Sequence, residues 1–186
     1  MTSSAEKRAT YADLLAVPAD KIAELIDGVL YTQPRPASPH TYAVSGLSAD
    51  LANPFQRGRG GPGGWVILFE PELHLAEDVL VPDLAGWRRE RMPEVPNAAG
   101  FTLPPDWVCE ALSPSTAGRD RTVKLDVYRR EAVTHVWFLD PAAETLEVLR
   151  LDGDGYRIAA TFAGSTKVRA EPFDAVELDL APLWIR

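Results

Sequence analysis

At 186 residues, with 46% hydrophobic and 25% charged residues, the chain has the length and composition of one globular domain and lies far from the disordered regime. No apolar run approaches the ~20 residues that a membrane span needs, and the start MTSSAEKRAT lacks the apolar centre of a secretion signal. The net charge of −8 argues against broad polyanion binding through a basic face, and Cys109, the single cysteine, rules out an intrachain disulfide or a thiolate zinc site.

In chain order, Thr10 is placed to cap a short helix that runs to about Ala16 and is closed by Pro18. IAELIDGVLYTQ alternates around Asp27–Gly28, which predicts a hairpin whose turn needs positive φ. Ser38–Pro39 predicts the N-cap and first turn of a helix to about Ala52, with His40, Val44, Leu47 and Leu51 on one stripe. RGRGGPGG predicts a flexible loop, the most disordered place inside the chain. WVILFEPELHL and VLVPDLAGW follow as strand candidates joined by the polar turn AEDV. RRERMPEVPNAAGFTLPP, broken by Pro93, Pro96, Pro104 and Pro105, predicts a mobile flap beside a site.

DWVCEAL is the next strand, GRDRTVKLDVYRREA is helical in pattern, and THVWFLD is another buried strand. TLEVLRLDGDGYRIAATF predicts a hairpin around DGDG, and the acidic tail ends in a strand-like segment. The order predicts an α/β (α+β) fold, a mixed β-sheet core flanked by helices. With no repeat and no linker, residues 1–186 read as a single domain, its core over about 11–141 and a C-terminal β-meander over 142–186. A cytoplasmic protein without a membrane partner is expected.

Three carboxylates interrupt apolar strands: Glu24 in IAELI, Asp83 in VPDLAGW and Glu110 in WVCEAL. A buried carboxylate must be paired, protonated or bound to a cation. Asp83 and Glu110 sit near the ends of neighbouring strand candidates, where their repulsion would be relieved by a hard divalent ion. The plainer alternative is a local salt bridge for each, with the many arginines as partners. Lys124 has Asp120 one turn before it and Tyr128 one turn after. It either leans toward the carboxylates or snorkels to the surface against Asp120 or Tyr128. Arginines cluster in RGRGG, WRRER, GRDR and YRR, which reads as solvated surface or as local contacts to an anion.

Pro82–Asp83, the strand glutamate Glu110, SPST after it, and Asp120-x-x-x-Lys124-x-x-x-Tyr128 before HVWFLDP resemble the Uma2 family. ELIDGVLY near the start adds to the likeness, which spans roughly residues 11–141. Uma2 is a restriction-endonuclease-like family of the PD-(D/E)XK nuclease superfamily. The resemblance implies a restriction-endonuclease-like mixed sheet and phosphodiester cleavage that depends on Mg²⁺ or Mn²⁺. Asp83 and Glu110 match the metal-binding carboxylates, and with Lys124 they would form the catalytic set. The superfamily's usual lysine would fall at Leu112, and in Uma2-like sequences it is displaced to the following helix, which points to Lys124.

Glu24 and His40 match further positions of the family pattern, and Asp120 and Tyr128 flank Lys124 as secondary candidates. The implied substrate is nucleic acid, DNA in the first place. The rival expectation is the same fold kept as an inactive module that binds a partner or small ligand, as a homodimer.

Overall fold

The structure, a computed structural model, describes residues 8–184. Most of the polar N-terminal start read above, residues 1–7, and the end of the strand-like tail, residues 185–186, lie outside the described residues. Helix α1 (Tyr11–Leu15) is capped by Thr10, whose hydroxyl accepts the Asp13 N–H while the Asp13 carboxylate accepts the Thr10 N–H at 2.8 Å. Strands β1 (Lys21–Ile26) and β2 (Val29–Pro34) form the expected hairpin. Asp27 and Gly28 both take positive φ, 52° and 78°, which suits the twist of a two-residue turn.

Helix α2 (Ser38–Leu51) begins one residue earlier than its sequence suggests. Ala37 is the N-cap, and no side chain caps the helix. Ala43, Val44, Leu47 and Leu51 are buried along one stripe. A π-helical turn (Ala52–Gln56) continues it, and the glycine-rich segment folds back upon that turn. The N–H groups of Arg57, Arg59 and Gly63 donate to the carbonyls of Ala52, Asn53 and Pro54. A Cβ at Gly61 would lie 2.4 Å from the Pro54 Cβ. The loop is therefore built, not disordered, because glycine lets the backbone come close enough to pair.

The two long strands expected over 65–75 and 79–87 each break at a proline. Strand β3 (Trp65–Phe69) ends before Glu70, which has φ 43°, and Pro71. Strands β4 (Leu73–Leu75) and β5 (Asp78–Leu80) then form a short hairpin, and Pro82 separates β5 from β6 (Leu84–Arg88). A proline cannot donate to a ladder, so each break lets the chain change sheets. One sheet has the order β2-β1-β5-β4.

The remaining elements are β7 (Trp107–Ala111), α3 (Ala117–Arg119), a π-helical turn (Asp120–Lys124), α4 (Leu125–Arg130), β8 (His135–Asp140), β9 (Thr145–Asp152) and β10 (Gly155–Ala163). The larger sheet has the order β10-β9-β8-β7-β6-β3. Its β7–β8 pair is parallel, with the helical segment as crossover, and its other pairs are antiparallel. A small pair, β11 (Lys167–Val168) and β12 (Leu178–Asp179), precedes a final 3-10 turn, Ala181–Leu183.

Alternation along the central strands feeds two cores. On one face Trp65, Leu84, Trp107 and Cys109 meet the α2 stripe and Phe173. The Phe173 ring lies 4.7 Å from Trp65 and 4.9 Å from Trp107, centroid to centroid. On the other face Ala85, Trp87, Val108 and Phe138 meet Val127 and Tyr128 of α4, with Ile26 and Leu80 from the smaller sheet. Glu110 falls between Cys109 and Ala111, so alternation turns it toward this second face. Among the described residues no helix is long and apolar enough to cross a membrane.

Candidate active site

The β6–β7 register pairs Leu84 with Cys109, which sets Asp83 opposite Glu110 where the two strands end. Pro82 has interrupted the ladder, and the Asp83 side chain continues it: its Oδ2 accepts the Ala111 N–H at 2.7 Å. The Asp83 carbonyl accepts the Glu70 N–H at 3.0 Å. From the opposite face, His40 in the first turn of α2 brings Nε2 to 3.3 Å from Asp83 Oδ1. His40 Nδ1 is buried and has no hydrogen-bond partner among the described residues. Burial pushes this imidazole's pKa down, but the Asp83 hydrogen bond and charge and the Ala111 carbonyl outweigh it and raise the pKa.

Behind Glu110 lies a dry cluster. Lys124, on the π-helical turn, is 2% exposed and Glu110 3%. The Lys124 ammonium stands 2.7 Å from Glu110 Oε1 and 2.9 Å from Glu24 Oε1, with Asp120 Oδ1 at 3.9 Å. Glu24 Oε1 also accepts the Val81 N–H, and its Oε2 is 3.4 Å from the Arg119 guanidinium. The Tyr128 hydroxyl donates to Glu110 Oε1 at 2.5 Å. Burial alone would lower the Lys124 pKa, yet Glu110, Glu24 and Asp120 raise it, so the ammonium stays charged. Burial pushes Glu110 well above the usual carboxylate range against the pull of Lys124, and it raises Asp120 as well.

A cleft of about 280 Å³ opens over these groups, lined by His40, Asp83, Glu110, Asp120 and Lys124, with Glu70 and the Ser113–Thr116 turn on its rim. The structure thus brings Asp83, Glu110, Lys124, Asp120 and His40 to one cavity, with Glu24 and Tyr128 joined to it through Lys124 and Glu110. Lys124 reaches Glu110 and Glu24, not Asp83. Among the described residues neither Asp83 nor Glu110 pairs with an arginine, whereas Glu24 does.

The expected flap does not border the cleft. Residues 89–106 leave the far end of β6, and the Trp87 indole donates to the Leu103 carbonyl. Phe101 packs on Trp87 at 5.2 Å, and Asp106 holds Arg88 N and Arg91. The segment is pinned by aromatic packing that its prolines and polar residues did not announce. Sequence reasoning also missed Arg119 beside Glu24, the Glu70–Arg35 pair at 2.8 Å, and the mutually bonded hydroxyls of Ser113, Ser115 and Thr116. Only the last had a local signal, the hydroxyls of SPST.

The Uma2 family model, described as "Putative restriction endonuclease", matches residues 8–181. The chain belongs to the Uma2 family. A crystal structure of "a putative nuclease belonging to DUF820" from Anabaena variabilis has the same fold, with a TM-score of 0.75 at 22% identity. The match covers 94% of this chain and 97% of that one. No curated protein matches.

Membership of Uma2 raises the question of a divalent cation. Among the described residues no three His, Cys, Asp or Glu side chains converge as a ready-made cage. Asp83 and Glu110 would supply two protein ligands, both oxygen. That suits Mg²⁺ or Mn²⁺, which binds through one or two carboxylates with water in the other positions. Glu24, Asp83, Glu110 and Asp120 together outnumber the cations Lys124 and Arg119 beside them. The donor set and the surplus of negative charge fit a bound cation.

Proposed function

We propose that this Uma2 protein is a divalent-metal-dependent endonuclease, a deoxyribonuclease-like hydrolase that cuts phosphodiester bonds of nucleic acid. The observation that carries this reading is the in-register placement of Asp83 and Glu110 at one cleft, with the Lys124 ammonium on Glu110. Asp83 and Glu110 would hold Mg²⁺ or Mn²⁺, which when bound polarises a phosphate oxygen and lowers the pKa of a bound water. The Ala111 N–H fixes one Asp83 oxygen, and Tyr128 and Lys124 fix one Glu110 oxygen, so neither carboxylate swings. Lys124 supplies a permanent positive charge next to the cleft, where negative charge on phosphorus grows during attack.

The test is cleavage of a nucleic-acid panel, DNA first, by the purified protein with Mg²⁺ or Mn²⁺ at low salt. Cleavage should vanish with EDTA and fall by about 10²-fold or more in Asp83→Asn, on the scale of other electrostatic removals. Equal cutting by wild type and Asp83→Asn would expose a contaminant and remove the assignment. The rival, a non-catalytic module of the same fold, draws support from one feature: Lys124 and Tyr128 already engage the same Glu110 oxygen. It predicts no cleavage and no Mn²⁺ binding by calorimetry.

A further inference from the structure

The arginines of this acidic chain fall into two groups. Most stand beside a carboxylate, as Arg35 does with Glu70 at 2.8 Å, Arg121 with Glu147 at 2.6 Å and Arg150 with Glu171 at 3.0 Å. Such pairs are neutral outward and offer little to an anion. Among the described residues five exposed arginines have no carboxylate partner: Arg169, which donates to the Asp174 carbonyl at 2.9 Å, and Arg57, Arg59, Arg88 and Arg89. Glu90 and Glu94, on the same segment as two of them, pair with neither.

Arg57, Arg59, Arg88 and Arg89 lie together at one end of the larger sheet. Arg88 pairs with Trp65 across β3–β6, and its guanidinium covers the Trp65 ring at 4.1 Å. The Arg89 N–H donates to the Gly64 carbonyl at 2.8 Å. Arg57 and Arg59 flank Gly58, whose Cα would lie 3.5 Å from a Cβ built on Gly63. The built glycine loop and the exit of β6 therefore present a single arginine surface.

That surface and the cleft sit at opposite ends of the edge strand β3. The strand starts at Trp65 beside the arginines and stops before Glu70, which bonds the Asp83 carbonyl and lines the cleft. At about 3.4 Å per residue the separation is roughly 17 Å. Duplex nucleic acid advances about 3.4 Å per base pair, so the two places are about five base pairs apart. The cleft itself sets Asp83, Glu110, Asp120 and Glu70 against Lys124 and the Arg35 that pairs with Glu70, so acidic groups predominate and phosphates are held poorly until a cation is bound. Retention of a polyanion then requires uncommitted cations elsewhere. Guanidinium groups are suited to phosphate oxygens, and four on two adjoining loops suit successive phosphates better than one small anion.

We infer that Arg57, Arg59, Arg88 and Arg89 grip the backbone phosphates of the substrate about five base pairs from the cut. The substrate is then a polymer that extends at least that far to one side. This rests on the nuclease reading.

The experiment compares wild type with Arg57→Gln/Arg59→Gln/Arg88→Gln/Arg89→Gln on end-labelled DNA duplexes stepped from about 5 to about 30 base pairs, with Mn²⁺ at low salt. Wild-type kcat/KM should climb once a duplex is long enough to reach the arginines. The variant should lack that climb and match wild type on the shortest duplexes. Its slope of log affinity against log salt should be shallower by up to about four, given about 0.9 per phosphate contact. If the variant instead cuts with unchanged length dependence and salt slope, the inference is wrong and the nuclease assignment stands. If wild type neither binds nor cuts DNA, both fall. Should the quadruple variant not fold by circular dichroism, Arg57→Gln/Arg59→Gln alone gives the same contrast, because these side chains make no ion pair among the described residues.

Discussion

Lys124 is a lysine that water hardly reaches, held between two glutamates at 2.7 and 2.9 Å. A buried ammonium alone would shed its proton, and here the two carboxylates keep it. The dependence is mutual, because the same carboxylates are tolerable only with a cation between them. Lys124→Met should therefore do more than slow a reaction. It leaves Glu110 buried without a cation and Glu24 with Arg119 alone, a loss of about 3–5 kcal/mol for one broken buried pair. Denaturant melts should show that loss, with part of it recovered at lower pH, where the carboxyls take up protons. A variant as stable as wild type would mean that the ammonium is not the partner that makes the buried acids tolerable.

At the level of elements, β6 links the two ends of the molecule, with Asp83 just before it and Arg88 as its last residue. Gly86 in its middle is required for the absence of a side chain. A Cβ there would stand 3.0 Å from Trp107 and 3.3 Å from Trp65, which pack from the strands on either side. Gly86→Val should overpack this row at a cost of about 1–3 kcal/mol, read as a lowered Tm with altered tryptophan near-ultraviolet dichroism. An unchanged Tm would show that the tryptophans can move apart freely. The turn at Asp27–Gly28, the α2 stripe and the carboxylate inside β7 were all legible in the sequence, since each is a local pattern. The sheet changes at Pro71 and Pro82 were not, because an apolar run does not say which partner strand it will meet. The π-helical turn that carries Asp120 and Lys124 left no mark in the 3.6-residue period, and the Arg119–Glu24 contact joins elements far apart in the chain. Glu24 was marked by its place inside an apolar strand, whereas His40 stood out as a site residue only through resemblance, since a lone histidine on a helix has no periodic signal.

Across the whole molecule, acidic groups surround the cleft, uncommitted arginines lie beyond the far end of β3, and burial holds the Glu110 carboxyl above its ordinary range. This links stability to pH in a direction opposite to that of a salt-bridged surface acid. The folded protein keeps a proton on Glu110 that the unfolded chain has already released at the ordinary glutamate value of 4.5. Folded protein then binds more protons than unfolded, so stability falls as pH rises from 4.5 through the raised value. His40, raised by Asp83, adds a loss of the same sign above 6.5. A divalent cation reverses the trend, since it binds the ionised carboxylates and its affinity grows as the protons leave. Thermal melts across this range in EDTA should show Tm declining with pH, and the Glu110→Gln protein should lack part of that decline. Lys124 remains beside Glu24 in that variant, so the fold should survive. With Mn²⁺ fixed at about 100 times its Kd at neutral pH, wild type should gain about 2.7 kcal/mol there, and at that same concentration more at higher pH than at lower. Asp83→Asn should keep the Glu110 part of the decline in EDTA, lose the His40 part above 6.5, and lose the Mn²⁺ gain. A wild-type Tm indifferent to Mn²⁺ at every pH would leave the buried charge cluster as a structural device and the chain as a binding module.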